Sequence, residues 1–357
     1  GIDLGTSRTA CAASNGVRES LPSLVGHPKD VVSMKLLKRD TLFGDEVVRH
    51  RLSLNVFRPL EKGVIKGSGE DKDEVSESEA EANMNAARQL VKHAIAMARP
   101  PADALVYCVI GAPAEASNTN RKALLEAARE VIDSVMLCSE PFAVAYGLDV
   151  LTDALVIDIG AGTTDLCRMH GTLPQAEDQI TIEQAGDSID ALLEQLIRKN
   201  HPEVQFSRQM AMEAKEQFAT VREGVGAINV TWPVNGKPTK IDIAPEIREA
   251  CLSVVPHIVA ALQKLVSSFD PEFQALLRSN VLLGGGGSQI RGLADAISEY
   301  MDEHLGGGKV KQVEEVVYAG ANGALKISKD MPPEYWEQLS RPLLSSGGLE
   351  RPPLPAV

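Results

Sequence analysis

Short apolar runs, each closed by glycines or by glycine and threonine, alternate along this chain with stretches whose apolar positions recur every three or four residues. The first kind reads as a buried strand entering a tight turn and the second as an amphipathic helix. Asp103–Pro113 (DALVYCVIGAP) is such a strand, and Thr119–Val135 has helical spacing that turns Leu124, Leu125, Ala128, Val131 and Ile132 inward. Val135–Cys138 predicts another short strand, after which Glu140-Pro141 opens a helix of small residues, with proline at a favourable first-turn position. Leu155–Ile159 returns as a strand, Ile180–Gln184 alternates, and Ala191–Lys199 is amphipathic up to the stop at Asn200-His201-Pro202. Beyond it the pattern predicts a helix at Gln209–Val221, strands around Ile228–Trp232 and Lys240–Ile243 joined at Asn235-Gly236, and a helix over Pro245–Ser268. Strands feeding helices in this order predict an α/β protein.

Three of the turns carry chemistry. DLGTSRT (Asp3–Thr9) and DIGAGTTD (Asp158–Asp165) are built alike. Glycines let backbone N–H groups turn inward on an anion, and threonine or serine hydroxyls add donors. Each copy is led by an aspartate, which repels a phosphate unless a cation lies between them, most simply Mg²⁺ with retained waters. Asp3 and Asp158 are therefore candidate metal-side residues. One copy alone also reads as a tight hairpin; two copies about half a chain apart read as a repeated phosphate clamp. The third turn, in SNVLLGGGGSQIRGLADAI (Ser279–Ile297), predicts a strand, four glycines, and a helix beginning near Ser288. Backbone there can approach a flat ligand closely, although a strand-to-helix turn needs no ligand.

Composition narrows the class. At 357 residues the chain exceeds the size at which one core keeps growing, and two domains of similar build are expected. Its five cysteines are scattered among apolar or small neighbours, as core thiols of a reducing compartment are, without a pattern for disulfides or zinc. A net charge of −13 argues against nonspecific binding to nucleic acid or anionic lipid. No apolar run reads as a membrane span, no direct membrane insertion is expected, and the start lacks a signal-peptide pattern. A strand leading into Asp3 normally has apolar residues before it, so a few residues are expected upstream of Gly1. The apolar residues of Val31–Leu37 (VVSMKLL) are assigned to the core of a small subdomain, and the basic stretch Lys35–Arg39 to solvated surface. Lys66–Asn85 is strongly acidic and reads as an exposed loop leading into a helix at Ala86–Ala98. The proline-, glycine- and serine-rich end reads as a disordered tail.

The order of these motifs resembles the actin-like ATPase superfamily. The first phosphate loop at Asp3–Thr9, a connecting helix from Glu140-Pro141, the second phosphate loop at Asp158–Asp165, an adenosine segment at Gly284–Leu293 and a second connecting helix at Tyr318–Lys326 occur in the superfamily's sequence, across nearly the whole chain. The resemblance implies an actin-like ATPase fold: two duplicated ribonuclease-H-like domains flanking a nucleotide cleft, each with a smaller outer subdomain. The boundaries expected are 1–138 for domain I, with its outer subdomain at about 27–63 and the acidic loop at 66–85, completed by 318–340. Domain II is expected at 139–317 with its outer subdomain at about 190–248, and the tail at 341–357.

The same resemblance implies ATP or ADP with Mg²⁺, bound through Gly5, Thr6 and Ser7 of the first turn and Gly160, Ala161, Gly162, Thr163 and Thr164 of the second. Gly186 and Asp187, in AGDSID, match the superfamily's ribose-side turn, and Gly285, Gly286, Gly287, Ser288 and Ile290 its adenosine segment. Lys215 and Glu216 resemble a base-pocket pair, although on a helix they also read as an ordinary surface ion pair. Glu140 matches the position that orients the attacking water, and it also suits a helix start, where a carboxylate gains on the order of 0.5 kcal/mol.

Too few residues follow Lys326 for a heat-shock chaperone, and no sugar-kinase aspartate motif is evident. The filament-forming branch remains, and within it the magnetosome-associated bacterial actins, which VGHPKDVVSMKLLKRDTLFGDE (Val25–Glu46), IGAPAEASNTNRKALL (Ile110–Leu125), SEPFAVAYGLDVL (Ser139–Leu151), GTLPQAEDQITI (Gly171–Ile182) and MPPEYWEQL (Met331–Leu339) resemble. The acidic stretch departs from that branch, as do Glu314 and Glu315, where relatives often carry Asp-Pro, so a divergent paralogue stays open. By implication the protein forms cytoplasmic homopolymeric filaments alongside magnetosomes, with adaptor proteins as partners. A cell-shape filament and a non-polymerising nucleotide-gated module are the alternatives.

Overall fold

Two units emerge, one formed by Gly1–Val150 with the described residues from Val317 on, the other by Leu151–Val316. The computed structural model describes residues 1–68 and 75–344. The centre of the acidic stretch and the end of the expected tail lie outside the described residues.

In the first unit, strands β1 (Ile2–Leu4), β2 (Arg8–Ala12) and β3 (Arg18–Pro22) form an antiparallel meander. The chain then enters a small outer layer of β4 (Val25–Pro28), α1 (Val31–Leu37), β5 (Leu42–Phe43), α2 (Asp45–His50) and β6 (Leu54–Phe57), in which β4 lies between β5 and β6. A short hairpin, β7 (Leu60–Glu61) and β8 (Val64–Ile65), precedes α3 (Glu77–Met97), β9 (Tyr107–Ala112), α4 (Asn118–Ala128), β10 (Ser134–Ser139) and α5 (Glu140–Gly147). Strands β9 and β10 join parallel to β1, giving the sheet order β10-β9-β1-β2-β3.

The second unit repeats that plan. Its strands β11 (Ala154–Ile159), β12 (Thr164–Met169) and β13 (Gln179–Ile182) form the meander. Helices α6 (Gly186–Asn200) and α7 (Arg208–Phe218), the hairpin β14 (Asn229–Val234) and β15 (Lys237–Asp242), and helices α8 (Ala244–Leu252), α9 (Val255–Ser267) and α10 (Pro271–Ser279) follow. Then come β16 (Val281–Gly284), α11 (Leu293–Leu305) and β17 (Val310–Gln312). The order β13-β12-β11-β16-β17 again sets three antiparallel strands beside parallel ones. Finally α12 (Ala319–Asp330) and α13 (Pro333–Leu344) return to the first unit.

The central strands of the two five-stranded sheets bury both faces, as sheets carrying parallel crossovers do. Every residue of β11 and β12 is buried. The core of the second unit packs Ile189, Leu193 and Ile197 of α6 and Ile258, Leu262 and Leu265 of α9 around Leu155, Ile157 and Ile159. In the first unit Leu90, Val91 and Ala94 of α3 and Leu124 and Ala128 of α4 cover Ile2, Leu4 and Ile110. Close backbone contact distinguishes α5 and α12, because a side chain on Gly323 would overlap the Ala143 carbonyl.

Several local expectations are corrected. Helix α4 ends at Ala128, seven residues early, because Asp133 draws the chain into the sheet edge: its amide donates to the Val106 carbonyl at 3.0 Å and its carboxylate accepts from the Val106 amide at 2.6 Å. Val131 and Ile132 remain buried, but outside the helix. Helix α3 begins at Glu77, so 77–85 is not loop; Ser76 caps it by accepting from the Glu79 amide. Helix α6 begins at Gly186, placing AGDSID in its first turn. Helix α7 stops at Phe218 because the chain there pairs with Arg291, the Val221 amide donating to its carbonyl at 3.0 Å.

The helix over 245–268 is two helices, since Pro256 has no N–H to continue the hydrogen-bond ladder from α8. Together, Ala244–Ser267 reaches the length and hydropathy of a membrane span, but just over half of that span is buried inside the unit. The helix expected from Ser288 begins at Leu293, after Gly292 adopts φ +84°.

Helix α1 overturns most of the core assignment of Val31–Leu37: of its apolar residues only Leu37 packs inward, against Leu42, Val47 and Leu54. Val31, Val32 and Leu36 are 84%, 72% and 67% exposed, and Ser33 is the helix's buried residue. The helix is held instead by Asp30, whose carboxylate accepts from the Val32 and Ser33 amides.

Candidate functional site

The first turn joins β1 to β2. The Gly5 amide donates to the Arg8 carbonyl at 3.1 Å, closing Gly5-Thr6-Ser7-Arg8 as a hairpin turn. Ser23 holds it from behind, donating through its hydroxyl to the Gly5 carbonyl and through its amide to the Ser7 carbonyl. The Thr6 hydroxyl accepts from the Gly63 amide at 2.8 Å, which leaves its proton for another acceptor. Arg58 donates to the Thr6 carbonyl at 3.1 Å. Three segments therefore fix one turn, as a preorganised anion site requires.

Asp3 lies level with Gly111 of the neighbouring parallel strand. Gly111 and Gly320 are what let its surroundings close in. A side chain on Gly320 would crowd the Asp3 carboxylate, and one on Gly111 would meet Cγ of Glu140 at 3.3 Å. Glu140, the first residue of α5, thus stands over the strand position paired with Asp3. Desolvation raises the Asp3 carboxyl from 3.8 to about 6. The charges of Glu140 and Asp3 add to burial in pushing the Cys138 thiol up to about 12. A dry carboxylate with a second carboxylate near it is a setting that a divalent cation stabilises.

The second turn has the same frame. The Gly160 amide donates to the Thr163 carbonyl at 2.9 Å, and Asp158 lies level with Gly284 as Asp3 does with Gly111. Here the turn's carbonyls are occupied by α6: the Gly186 amide donates to the Gly160 carbonyl at 3.1 Å and the Asp187 amide to the Ala161 carbonyl at 2.7 Å. Thr163 and Thr164 are both buried, and the Thr164 hydroxyl donates to the Gln184 carbonyl at 2.8 Å. That bond makes Thr164 a brace behind the turn. Gly162 lies within the turn beside Ala161.

The glycine run closes on the same aspartate. Gly285 adopts φ +74°, and any side chain there would overlap the Asp158 carboxylate and the Ile159 carbonyl. A side chain on Gly287 would overlap that of Ile159, whereas the corresponding space at Gly286 is open. Ser288 is buried and its hydroxyl donates to the Gly285 carbonyl at 2.7 Å, so it pins the short 3₁₀ turn Gly286–Gln289. Ile290, which follows that turn, is buried in the core of the unit.

Lys215 and Glu216 part company. Lys215 is turned inward onto Asp190, with Nζ 2.8 Å from its carboxylate, while Glu216 is exposed. Sequence reasoning missed Gly111, Gly320 and Asp190 as members of this arrangement. A glycine inside an apolar strand such as VIGA is a readable sign of close approach, and Gly111 carries it. Nothing in the spacing pairs Asp190 with Lys215, which belongs to another helix.

Each unit therefore presents a strand-end carboxylate, a glycine-hydroxyl turn and glycines packed against the carboxylate. The family model described as MreB/Mbl protein matches residues 1–332. The chain is 40% identical over 339 residues to the actin-like protein MamK of Paramagnetospirillum magneticum, covering 95% of this chain and 94% of that one. Among solved structures, a MamK double helical filament superposes with a TM-score of 0.87 at 38% identity, covering 93% of this chain and 98% of that one. A non-polymerising MamK mutant bound to AMPPNP superposes with a TM-score of 0.67, also at 38% identity, covering 92% and 98%. With its duplicated sheets, its two carboxylate-led turns and this likeness along almost its whole length, the chain belongs to the MreB/Mbl family of proteins and has the actin-like fold.

Proposed function

We propose that this protein binds ATP with Mg²⁺, hydrolyses it, and assembles into cytoplasmic filaments that organise magnetosome chains. The observation that carries the proposal is the repeated frame in which a strand-end aspartate stands beside a turn of glycines and hydroxyls, once in each unit. Turns of this kind suit phosphate oxygens, and the relative bound to AMPPNP supports an adenine nucleotide. The likeness to a MamK filament supports assembly and, through that protein's name, the magnetosome role.

In this reading the Gly5–Ser7 and Gly160–Thr163 amides and hydroxyls face phosphate oxygens, Gly285, Gly286 and Gly287 admit the adenosine, and Asp3 and Asp158 face the cation. The desolvated Asp3 fits Mg²⁺, which needs only one or two carboxylates beside the phosphates. When bound, the ion neutralises charge developing on the transferred phosphoryl group. Glu140 orients the attacking water, since phosphoryl transfer depends on alignment more than on covalent chemistry. Magnetosome adaptor proteins are the expected partners of the polymer.

Sedimentation with Mg-ATP against EDTA, with electron microscopy of the pellets, tests assembly: filaments in the Mg-ATP pellet alone support the proposal, and a soluble protein under both conditions opposes it. The exposed apolar face of α1, with Lys29, Lys35 and Lys38 close by in the chain, favours a second reading, a cell-shape type of filament that touches lipid. Flotation with anionic vesicles separates the two.

A further inference from the structure

Lys215 occupies the last turn of α7, and its ammonium group meets the first turns of α6 twice, through one ion pair and one hydrogen bond. It lies 2.8 Å from the Asp190 carboxylate and donates to the Gly186 carbonyl at 3.2 Å. The lysine side chain is 14% exposed and the aspartate 4%. An ion pair this deep rarely repays its desolvation in stability, so what it does is sought in what it positions.

Gly186 and Asp187 are the residues whose amides hold the Gly160 and Ala161 carbonyls of the second turn. Space there is tight, since a Cβ on Gly186 would lie 3.1 Å from the Ala161 Cα. A continuous path of polar contacts thus runs from Asp190 through Lys215 to Gly186 and on to the turn. It leaves Lys215 little freedom to reach a base, because its ammonium group is held to α6 by the Gly186 carbonyl and the Asp190 charge.

We propose that Lys215 is a positioning residue for the second phosphate turn: by clamping the start of α6 it fixes the turn's backbone, and it sets affinity for the phosphate chain without reading the base. This rests on the proposal that the turn holds nucleotide phosphates. Burial raises the Asp190 carboxyl more than Lys215 lowers it, so a carboxylate left there without the lysine would take up a proton or disturb the helix start.

The test uses the full chain and the variants Lys215→Met, Lys215→Arg, Asp190→Asn and the double variant Asp190→Asn/Lys215→Met. Affinities for Mg-ATP, Mg-GTP and Mg-tripolyphosphate are measured side by side, with amide hydrogen exchange over 160–163 and 186–190. For Lys215→Met the expected result is a loss of about tenfold that is equal for all three ligands. The ATP-to-GTP ratio should stay unchanged, Lys215→Arg should recover most of the loss, and the double variant should be no worse than Lys215→Met. Exchange should accelerate at Gly186 and Asp187 in Lys215→Met, with or without nucleotide. A collapse of the ATP-to-GTP ratio with tripolyphosphate binding intact would assign Lys215 to the base and overturn the proposal. Unchanged exchange at Gly186 and Asp187 would overturn it as well. Should the wild type bind none of the three ligands, the nucleotide reading fails, and the exchange comparison alone decides whether Lys215 clamps the turn.

Discussion

Gly285 lies directly against the carboxylate of Asp158, in a left-handed backbone conformation that leaves no room for a side chain. Two independent penalties therefore meet at one residue, strain at φ +74° and overlap with a buried strand end. We predict that Gly285→Ala destabilises the second unit by about 2–4 kcal/mol, read as a shift in the urea midpoint. A change below about 0.5 kcal/mol would contradict the packing described.

Gly286 makes the opposite prediction. Nothing lies within 4 Å of the position where its Cβ would stand, and its backbone is not left-handed. Gly286→Ala should leave the melting temperature of the nucleotide-free protein unchanged while weakening ATP, because the added methyl enters space assigned to the adenosine. Titration with a fluorescent ATP analogue measures this. Unaltered affinity would move the adenosine away from Gly286.

Asp3 supplies a pH dependence whose sign is fixed. Its folded carboxyl titrates at about 6 against 3.8 when unfolded, so the folded state binds the proton more tightly. The stabilisation from this group is complete below pH 3.8 and is lost as pH rises through about 6. In EDTA without nucleotide, stability should fall across that window in the wild type and fall less in Asp3→Asn, as followed by denaturant midpoints. Mg-ATP should offset the loss. An Asp3→Asn profile parallel to the wild type would contradict a desolvated Asp3.

Exposure of α1 is also checkable. Since Val31 and Leu36 are 84% and 67% exposed, Val31→Ser and Leu36→Gln should each change stability by no more than about 0.5 kcal/mol. A loss of about 2 kcal/mol or more by denaturant titration would mean these side chains are buried.

Much of the fold was legible in the sequence because its signals are local. The β14–β15 hairpin follows from Asn235-Gly236, both with positive φ, and α5 from the proline after Glu140. The errors arose where a distant segment decides. Periodicity carried α4 through Val131 and Ile132, whereas Asp133 bonds to Val106 and ends the helix early. The apolar residues of α1 have the composition of a core face, but composition does not say whether anything covers them. At the candidate site the glycine turns were legible, and so was the position of Glu140. The inward turn of Lys215 was not, because its partner Asp190 is distant in sequence.

In the proposed function, nucleotide drives assembly of this protein, and Glu140 aligns the water that attacks it. Right-angle light scattering and phosphate release, followed in one tube after adding Mg-ATP to wild type and Glu140→Ala, separate the two steps. Both proteins should scatter, and phosphate release in Glu140→Ala should fall by about 100-fold or more. Release at the wild-type rate in Glu140→Ala, or no rise in scattering from the wild type, would contradict the proposed function.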